Sequence, residues 1–181
     1  MNFAGQLVCK LFVKGLGISG YEITLARPDD VPAILDLQEQ NLRSNGGALS
    51  VRFAGEWFKK AIAEMPIVVA RMDGNVVGYV VSTPLTAQAH EPIIQAMLRA
   101  YPGSPRAYNY GPICVAKNHR GRGLAVAMVE QLRAQLPGRE GFTFIRADNA
   151  ISRDVHIKMG MQEVAEFILN DTAYIVVAYQ G

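Results

Sequence analysis

From residue 21 onward the chain switches between a two-residue hydrophobic period, the mark of a half-buried strand, and one of three to four residues, the mark of a helix with one buried face. Glu22-Ile23-Thr24-Leu25-Ala26-Arg27 alternates and predicts a strand. Pro28-Asp29-Asp30 follows, offering a carboxylate as helix N-cap, with Pro32 in the first turn where its missing N–H costs little. Val31, Ile34, Leu35 and Leu42 give that helix its apolar face, and Ser44-Asn45-Gly46-Gly47 breaks it. A second helix is predicted over about 55–64, where Trp57, Phe58, Ala61 and Ile62 are apolar and Met65-Pro66 is the stop. Residues 67–71 and 76–81 are β-branched runs around Met72-Asp73-Gly74-Asn75, the strongest hairpin signal in the chain.

Residues 83–107 depart from a simple meander. Helical spacing over 92–101 (Ile93 and Met97, Ile94 and Leu98) is broken by Pro102-Gly103-Ser104-Pro105, and the insertion is long enough to shape a pocket wall. The strand over 108–115 contains Gly111-Pro112. Proline cannot donate a ladder bond and glycine weakens a strand, so the pair predicts an edge, a bulge, or a parting from one neighbour. A helix follows over 124–136, with Leu124, Met128, Leu132 and Leu136 every four residues and Pro137-Gly138 as terminator. Residues 141–147 read as a strand. Asp148 or Asn149 caps another helix that Gly160 closes, with Ile151, Val155 and Met159 as its core stripe. Residues 163–169 and 173–180 pair around Asn170-Asp171 as a last hairpin.

Composition narrows the class. At 181 residues, half of them apolar and 19% charged, one soluble domain is expected, placed at 21–181. Residues 1–20 carry no basic n-region and no clean cleavage site. They are expected to be an N-terminal extension, with packing on the surface, contact with a neighbouring chain in a homodimer, and a non-native start all open. A net charge of +2 argues against nucleic acid or an acidic membrane as partner. Cys9 and Cys114 lack disulfide or metal spacing, and His90, His119 and His156 form no metal motif, so no metal is expected. No apolar run reaches spanning length, and a reducing compartment, the cytoplasm, fits the cysteine usage.

Two stretches carry candidate chemistry. The apolar run 113–116 enters a turn containing Arg120-Gly121-Arg122-Gly123, and a helix begins at once. Two glycines let backbone approach a ligand, and the free N–H groups of a helix start, with the dipole, attract a phosphate or pyrophosphate. A solvated basic turn is the alternative. G-x-x-x-x-G-K-[ST] is absent, and G-x-G-x-x-G would need glycine at Val126, so neither ATP nor NAD is favoured. In the second stretch Ser152 and His156 lie about 300° and 340° around the helix from Asn149, which places all three on one polar face. His156 is either structural or a proton donor near neutrality. Cys114, in an apolar run without an adjacent base, reads as a core residue and not as a nucleophile.

Arg120-Gly121-Arg122-Gly123-Leu124-Ala125 resembles the R/Q-x-x-G-x-G/A acyl-CoA loop of the GNAT superfamily of N-acetyltransferases. The stretch from Asn149, here N-x-x-S-x-x-x-H-x-x-x-G-M, is similar to that superfamily's N-x-x-A/S-x-x-x-Y-x-x-x-G-F, with His156 in place of the tyrosine and Met161 in place of the aromatic. The resemblance implies a mixed α/β (α+β) fold, with a mostly antiparallel sheet of six to seven strands flanked by helices and a fourth strand splayed from the fifth. It implies acetyl-CoA as acyl donor, no metal, and direct attack by a primary amine of a small molecule or peptide. It assigns Arg120, Gly121, Arg122, Gly123, Leu124 and Ala125 to the pyrophosphate, and Ile113, Val115, Asn149 and Ser152 to the rest of the cofactor. Backbone at Cys114 and Val115 would meet the pantetheine and the oxyanion, and His156 would be the general acid. The general base is open among Glu91, Asp148, a water held by Tyr108 or Tyr110, and none at all for a weakly basic amine that arrives deprotonated. The 44–50 loop and the 83–107 insertion are expected to line the acceptor pocket. A non-catalytic acyl-CoA sensor of the same fold is the alternative function.

Overall fold

The computed structural model describes residues 18–49 and 51–180, so the expected extension lies outside the described residues except for 18–20. Seven strands, β1 (Glu22–Leu25), β2 (Val68–Met72), β3 (Asn75–Pro84), β4 (Tyr108–Val115), β5 (Gly141–Arg146), β6 (Gln162–Leu169) and β7 (Thr172–Tyr179), form one sheet in the order β1-β2-β3-β4-β5-β7-β6. Every pairing is antiparallel except β4 with β5. Five helices flank it: α1 (Val31–Asn41), α2 (Gly55–Glu64), α3 (Pro92–Ala100), α4 (Leu124–Gln135) and α5 (Ala150–Lys158). This is the mixed, mostly antiparallel architecture expected from the sequence.

The period-two pattern decides which helix covers which face. Ile67, Val69, Tyr79 and Val81 pack with Val31, Ile34, Phe58 and Ala61 of α1 and α2. Their alternates Val68, Ala70 and Val80 pack on the other face with Leu124, Met128 and Leu132 of α4. Those three α4 side chains are 2% exposed or less, and each contributes about 1.5–3 kcal/mol by leaving water. In β5 and β7, Phe142, Val176 and Ala178 face α3, while Ile145, Ile175 and Val177 join the α4 side. Both tight hairpins use left-handed residues, Asp73-Gly74 and Asn170-Asp171, the backbone that a two-residue turn between twisted strands requires.

Three expectations change. β3 runs on to Pro84, because Ser82 and Thr83 pair with Tyr110 and Asn109 and the Ser82 hydroxyl donates to the Pro66 carbonyl at 2.6 Å. Asp30 precedes α1 but makes no side-chain cap; its carboxylate accepts from the Arg27 N–H and takes both arms of Arg71, at 2.9 and 2.7 Å. Burial works to raise the Asp30 pKa, yet the Arg71 bonds outweigh it and hold the carboxyl below its ordinary value. Ile151 is 81% exposed and is not core: the buried side of α5 centres on His156 and Met159, and Ile151 sits in the first turn at its margin.

Candidate active site

The sheet parts where Gly111-Pro112 predicted it would. β4 pairs with β5 only through Tyr108↔Gly141 and Asn109↔Phe142, and the β3 register shifts between Val80 and Ser82, opposite the Gly111-Pro112 bulge. Beyond Asn109 the two strands diverge. Because the Ala116 N–H donates to the Val77 carbonyl, ladder alternation directs the Cys114 backbone toward β3 and turns the polar backbone groups of Ile113 and Val115 into the gap. Of the two expected backbone donors, Val115 thus faces the gap and Cys114 faces the ladder. The Cys114 side chain is 2% exposed, and burial pushes its thiol up to about 11, so it stays protonated near neutrality.

A cavity of about 840 Å³ opens at this gap. Gly111 to Cys114 of β4 and Thr143 to Arg146 of β5 line it, with Asn149, Ser152 and His156 of the α5 segment. The α1–α2 connection contributes Gly47, Ala48, Leu49 and Val51, and the segment before α3 contributes Ala87, Gln88, His90 and Glu91, as the sequence suggested; residue 50 lies outside the described residues. Glu91 and Asp148, the open candidates for a base, both line the cavity. Asp148 is paired with Arg146 at 2.5 Å, which holds its carboxyl below its ordinary value.

The Asn149, Ser152 and His156 face is a relay of hydrogen bonds. The Asn149 side-chain oxygen Oδ1 caps α5 by accepting from the Ser152 N–H at 3.2 Å. The Ser152 carbonyl accepts from His156 Nδ1 at 2.7 Å. A carbonyl only accepts, so Nδ1 carries the proton and Nε2 of the neutral ring carries the lone pair. Burial draws the His156 pKa below its ordinary value, partly offset by the Ser152 bond, and the ring is 6% exposed. Tyr110, whose ring centroid lies 5.8 Å from that of His156, spends its hydroxyl on Met161 Sδ at 2.6 Å. Burial keeps Tyr110 a neutral phenol.

The basic glycine turn lies beside this cavity and outside its lining. Gly121 and Gly123 adopt φ of +74° and +79°, a backbone that favours glycine, and Gly123 is the N-cap of α4, where no side chain caps the helix. Leu124 is buried in the core, so only its backbone is on offer here, and Ala125 packs partly against the same cluster. Arg122 reaches the Asn118 carbonyl at 3.4 Å. Arg120 is engaged more fully: Nε donates to the Val115 carbonyl at 3.1 Å and Nη2 to Asn41 Oδ1 at 2.9 Å. The Asn41 link was not visible in the sequence, since no periodicity joins residues 79 apart.

Residues 32–161 match the family model described as the acetyltransferase (GNAT) family. The chain belongs to the GNAT acetyltransferase family. Among solved structures, an acetyltransferase of the GNAT family from Streptococcus agalactiae is 19% identical at a TM-score of 0.68, covering 90% of this chain and 96% of that one. The yncA acetyltransferase of Salmonella typhimurium, solved with its cofactor acetyl-CoA, is 16% identical at a TM-score of 0.65, covering 90% and 94%. A ribosomal-protein-alanine N-acetyltransferase from Brucella melitensis is 20% identical at 0.61, covering 88% and 99%. No curated protein matches the sequence. Among the described residues of this GNAT chain, no group of three or more His, Cys, Asp or Glu is placed to hold a metal ion, and no helix is long and apolar enough to cross a membrane.

Proposed function

We propose that this GNAT protein transfers the acetyl group of acetyl-CoA to a primary amine, of a small molecule or a peptide, by direct attack in a ternary complex. The observation that carries the reading is the meeting, at one cavity, of the β4–β5 gap with the buried, tautomer-fixed His156. The chain's features fit an acyl-CoA. The uncapped start of α4, with N–H groups from Leu124 and Ala125 and no side chain at Gly121 or Gly123, suits a diphosphate, and Arg122 adds charge. Backbone of Ile113 and Val115 suits the amides of the pantetheine. Arg120 shapes the loop through Val115 and Asn41 more than it offers itself to phosphate. The yncA and ribosomal-protein-alanine neighbours support the donor and a protein-chain amine among acceptors.

Acetyl-CoA, when bound, supplies an activated thioester carbonyl. The Val115 N–H, turned into the gap, is the backbone donor for the developing oxyanion, and a fixed donor of this kind needs no reorganisation as charge grows. His156 starts neutral with Nε2 bare, so it takes the proton of the attacking amine as the C–N bond forms. It then returns that proton to the leaving sulfur as the C–S bond breaks. Asn149 and Ser152 act by positioning: one holds the first turn of α5, the other holds the ring.

Amine-dependent release of thiol from acetyl-CoA tests the proposal. We expect saturation in both substrates and a fall in kcat of about 10²-fold or more in His156→Ala. Saturable acetyl-CoA binding without thiol release for any amine, unchanged by His156→Ala, would instead make the protein a non-catalytic acyl-CoA sensor.

A further inference from the structure

The acceptor side of the cavity carries a prepared aromatic surface. Phe53 and Trp57 stack with ring centroids 4.0 Å apart and planes 20° from parallel, and Phe58 meets both edge-on, at 6.0 and 5.2 Å. The stack does not depend on loop packing alone. Gln38, 1% exposed, grips the Phe53 backbone at both ends, donating to its carbonyl at 2.9 Å and accepting from its N–H at 2.8 Å. Phe53 and Trp57 are half-buried and line the cavity. Phe144 of β5 and Tyr174 of β7, on the other side of the β4–β5 gap in the sheet order, also line it and are half-buried, with centroids 5.6 Å apart. Tyr174 is backed by a stacked Phe167 at 5.0 Å. Rings fixed before binding lose little entropy when a flat group enters between them.

The charges lining the same cavity limit how many ammonium groups can enter. Among the described residues that line the cavity, Arg43, Arg52 and Arg146 stand with two carboxylates, Glu91 and Asp148. Asp148 is spent on Arg146, and Arg52 is spent on Glu39, at 2.8 Å, outside the lining. Among the described residues, Glu91 is left with His90 beside it, at 3.2 Å. One carboxylate without an arginine partner suits one ammonium. A polyamine or an aminoglycoside, which needs several, would meet arginines instead.

We infer that the acceptor is a monoamine bearing an aromatic or similarly flat apolar group, seated between the Phe53–Trp57 stack and Phe144–Tyr174. The inference rests on the acetyltransferase reading for its turnover but not for its binding. Both are measured with the full chain. Thiol release from acetyl-CoA is compared for 2-phenylethylamine, n-butylamine and spermidine, and the binding of each amine to the protein–CoA complex is read by calorimetry. The expected order places 2-phenylethylamine ahead of n-butylamine by about tenfold in kcat/KM and in affinity, with spermidine last. Phe53→Ala brings the first two amines level, and Phe53→Leu, which keeps most of the volume, retains part of the difference. Unchanged acetyl-CoA affinity in both variants reports an intact fold. Equal constants for the first two amines with the wild type, or spermidine as the best ligand, would overturn the inference. Absence of turnover with every amine would overturn the acetyltransferase reading alone, and the calorimetric order would still decide the acceptor class.

Discussion

The hydrogen bond from His156 Nδ1 to the Ser152 carbonyl, at 2.7 Å, sets the order of events at this residue. A ring whose Nδ1–H is spent and whose pKa burial has drawn below 6.5 meets an amine as a base, and becomes an acid only after accepting its proton. The sign follows. As pH falls through the lowered pKa, His156 becomes charged and the base is lost. Tyr110, the phenol whose ring neighbours it, stays neutral through that range and does not blur the transition. The pH profile of kcat/KM, taken with an amine whose own ionisation is measured separately, is therefore expected to show a His156 acid limb below pH 6.5 and none above it. Activity that rises as pH drops toward 6.5 would mean the protonated ring is the working form, and the assignment would fail. The polar face that holds His156 was readable from helical spacing. The tautomer was not, because it depends on a backbone carbonyl, and no residue type records which carbonyl a side chain meets.

Asn41, the last residue of α1, ties the two halves of the site together. Its carbonyl accepts from the Leu49 N–H at 2.9 Å and its amide donates to the Leu37 carbonyl at 2.8 Å, while its side-chain oxygen takes Arg120, which also holds the Val115 carbonyl at the gap. Gly47 lies so close above it that a Cβ would collide with the Asn41 backbone carbonyl, which only glycine avoids. The acceptor-side connection and the cofactor-side turn are thus fastened to one residue. Asn41→Ala is expected to raise the amine KM by about tenfold, as a wall misplaced by a fraction of an ångström loses one to two kcal/mol of binding. It should lower Tm by a few degrees. Steady-state kinetics beside calorimetry of acetyl-CoA separates the two effects; an unchanged amine KM with a lowered Tm would leave Asn41 a stability residue only. The elements themselves were largely legible: the last hairpin, α2, β4 and the turn before α4 stand within a residue or two of where pattern placed them, and the first hairpin departs only at the far end of β3. Gln38 and Asn41 were not, since a polar residue on a helix reads as solvent-facing until the backbone groups that satisfy it are seen. Ile151 failed in the opposite sense, because apolar character alone does not say that a first turn is covered.

At the scale of the whole molecule the sheet is two pieces hinged at one end. β1 to β4 form one and β5, β7 and β6 the other, and the ladder between them is limited to the pairs at Tyr108 and Asn109. Gly111-Pro112 made a parting readable in the sequence. Its consequence is a stretch of strand whose outward backbone groups, at Ile113 and Val115, lie beyond the last β4–β5 register pair. An acyl-CoA in the gap would bridge the pieces and satisfy those groups, so its binding free energy becomes stability of the folded state. At a concentration about 100 times Kd that gain is about 2.7 kcal/mol, which for a chain of this size raises Tm by about 5–10 °C. The location of the gain is as informative as its size. In hydrogen exchange, the N–H groups of Ile113 and Val115 are expected to slow on addition of acetyl-CoA, whereas that of Cys114, already in the β3 ladder, changes less. Uniform protection of all three would mean general tightening without occupation of the gap. Protection confined to the turn at 120–125 would mean that the diphosphate binds while the pantetheine takes another route, and the position proposed for the oxyanion donor would have to be abandoned.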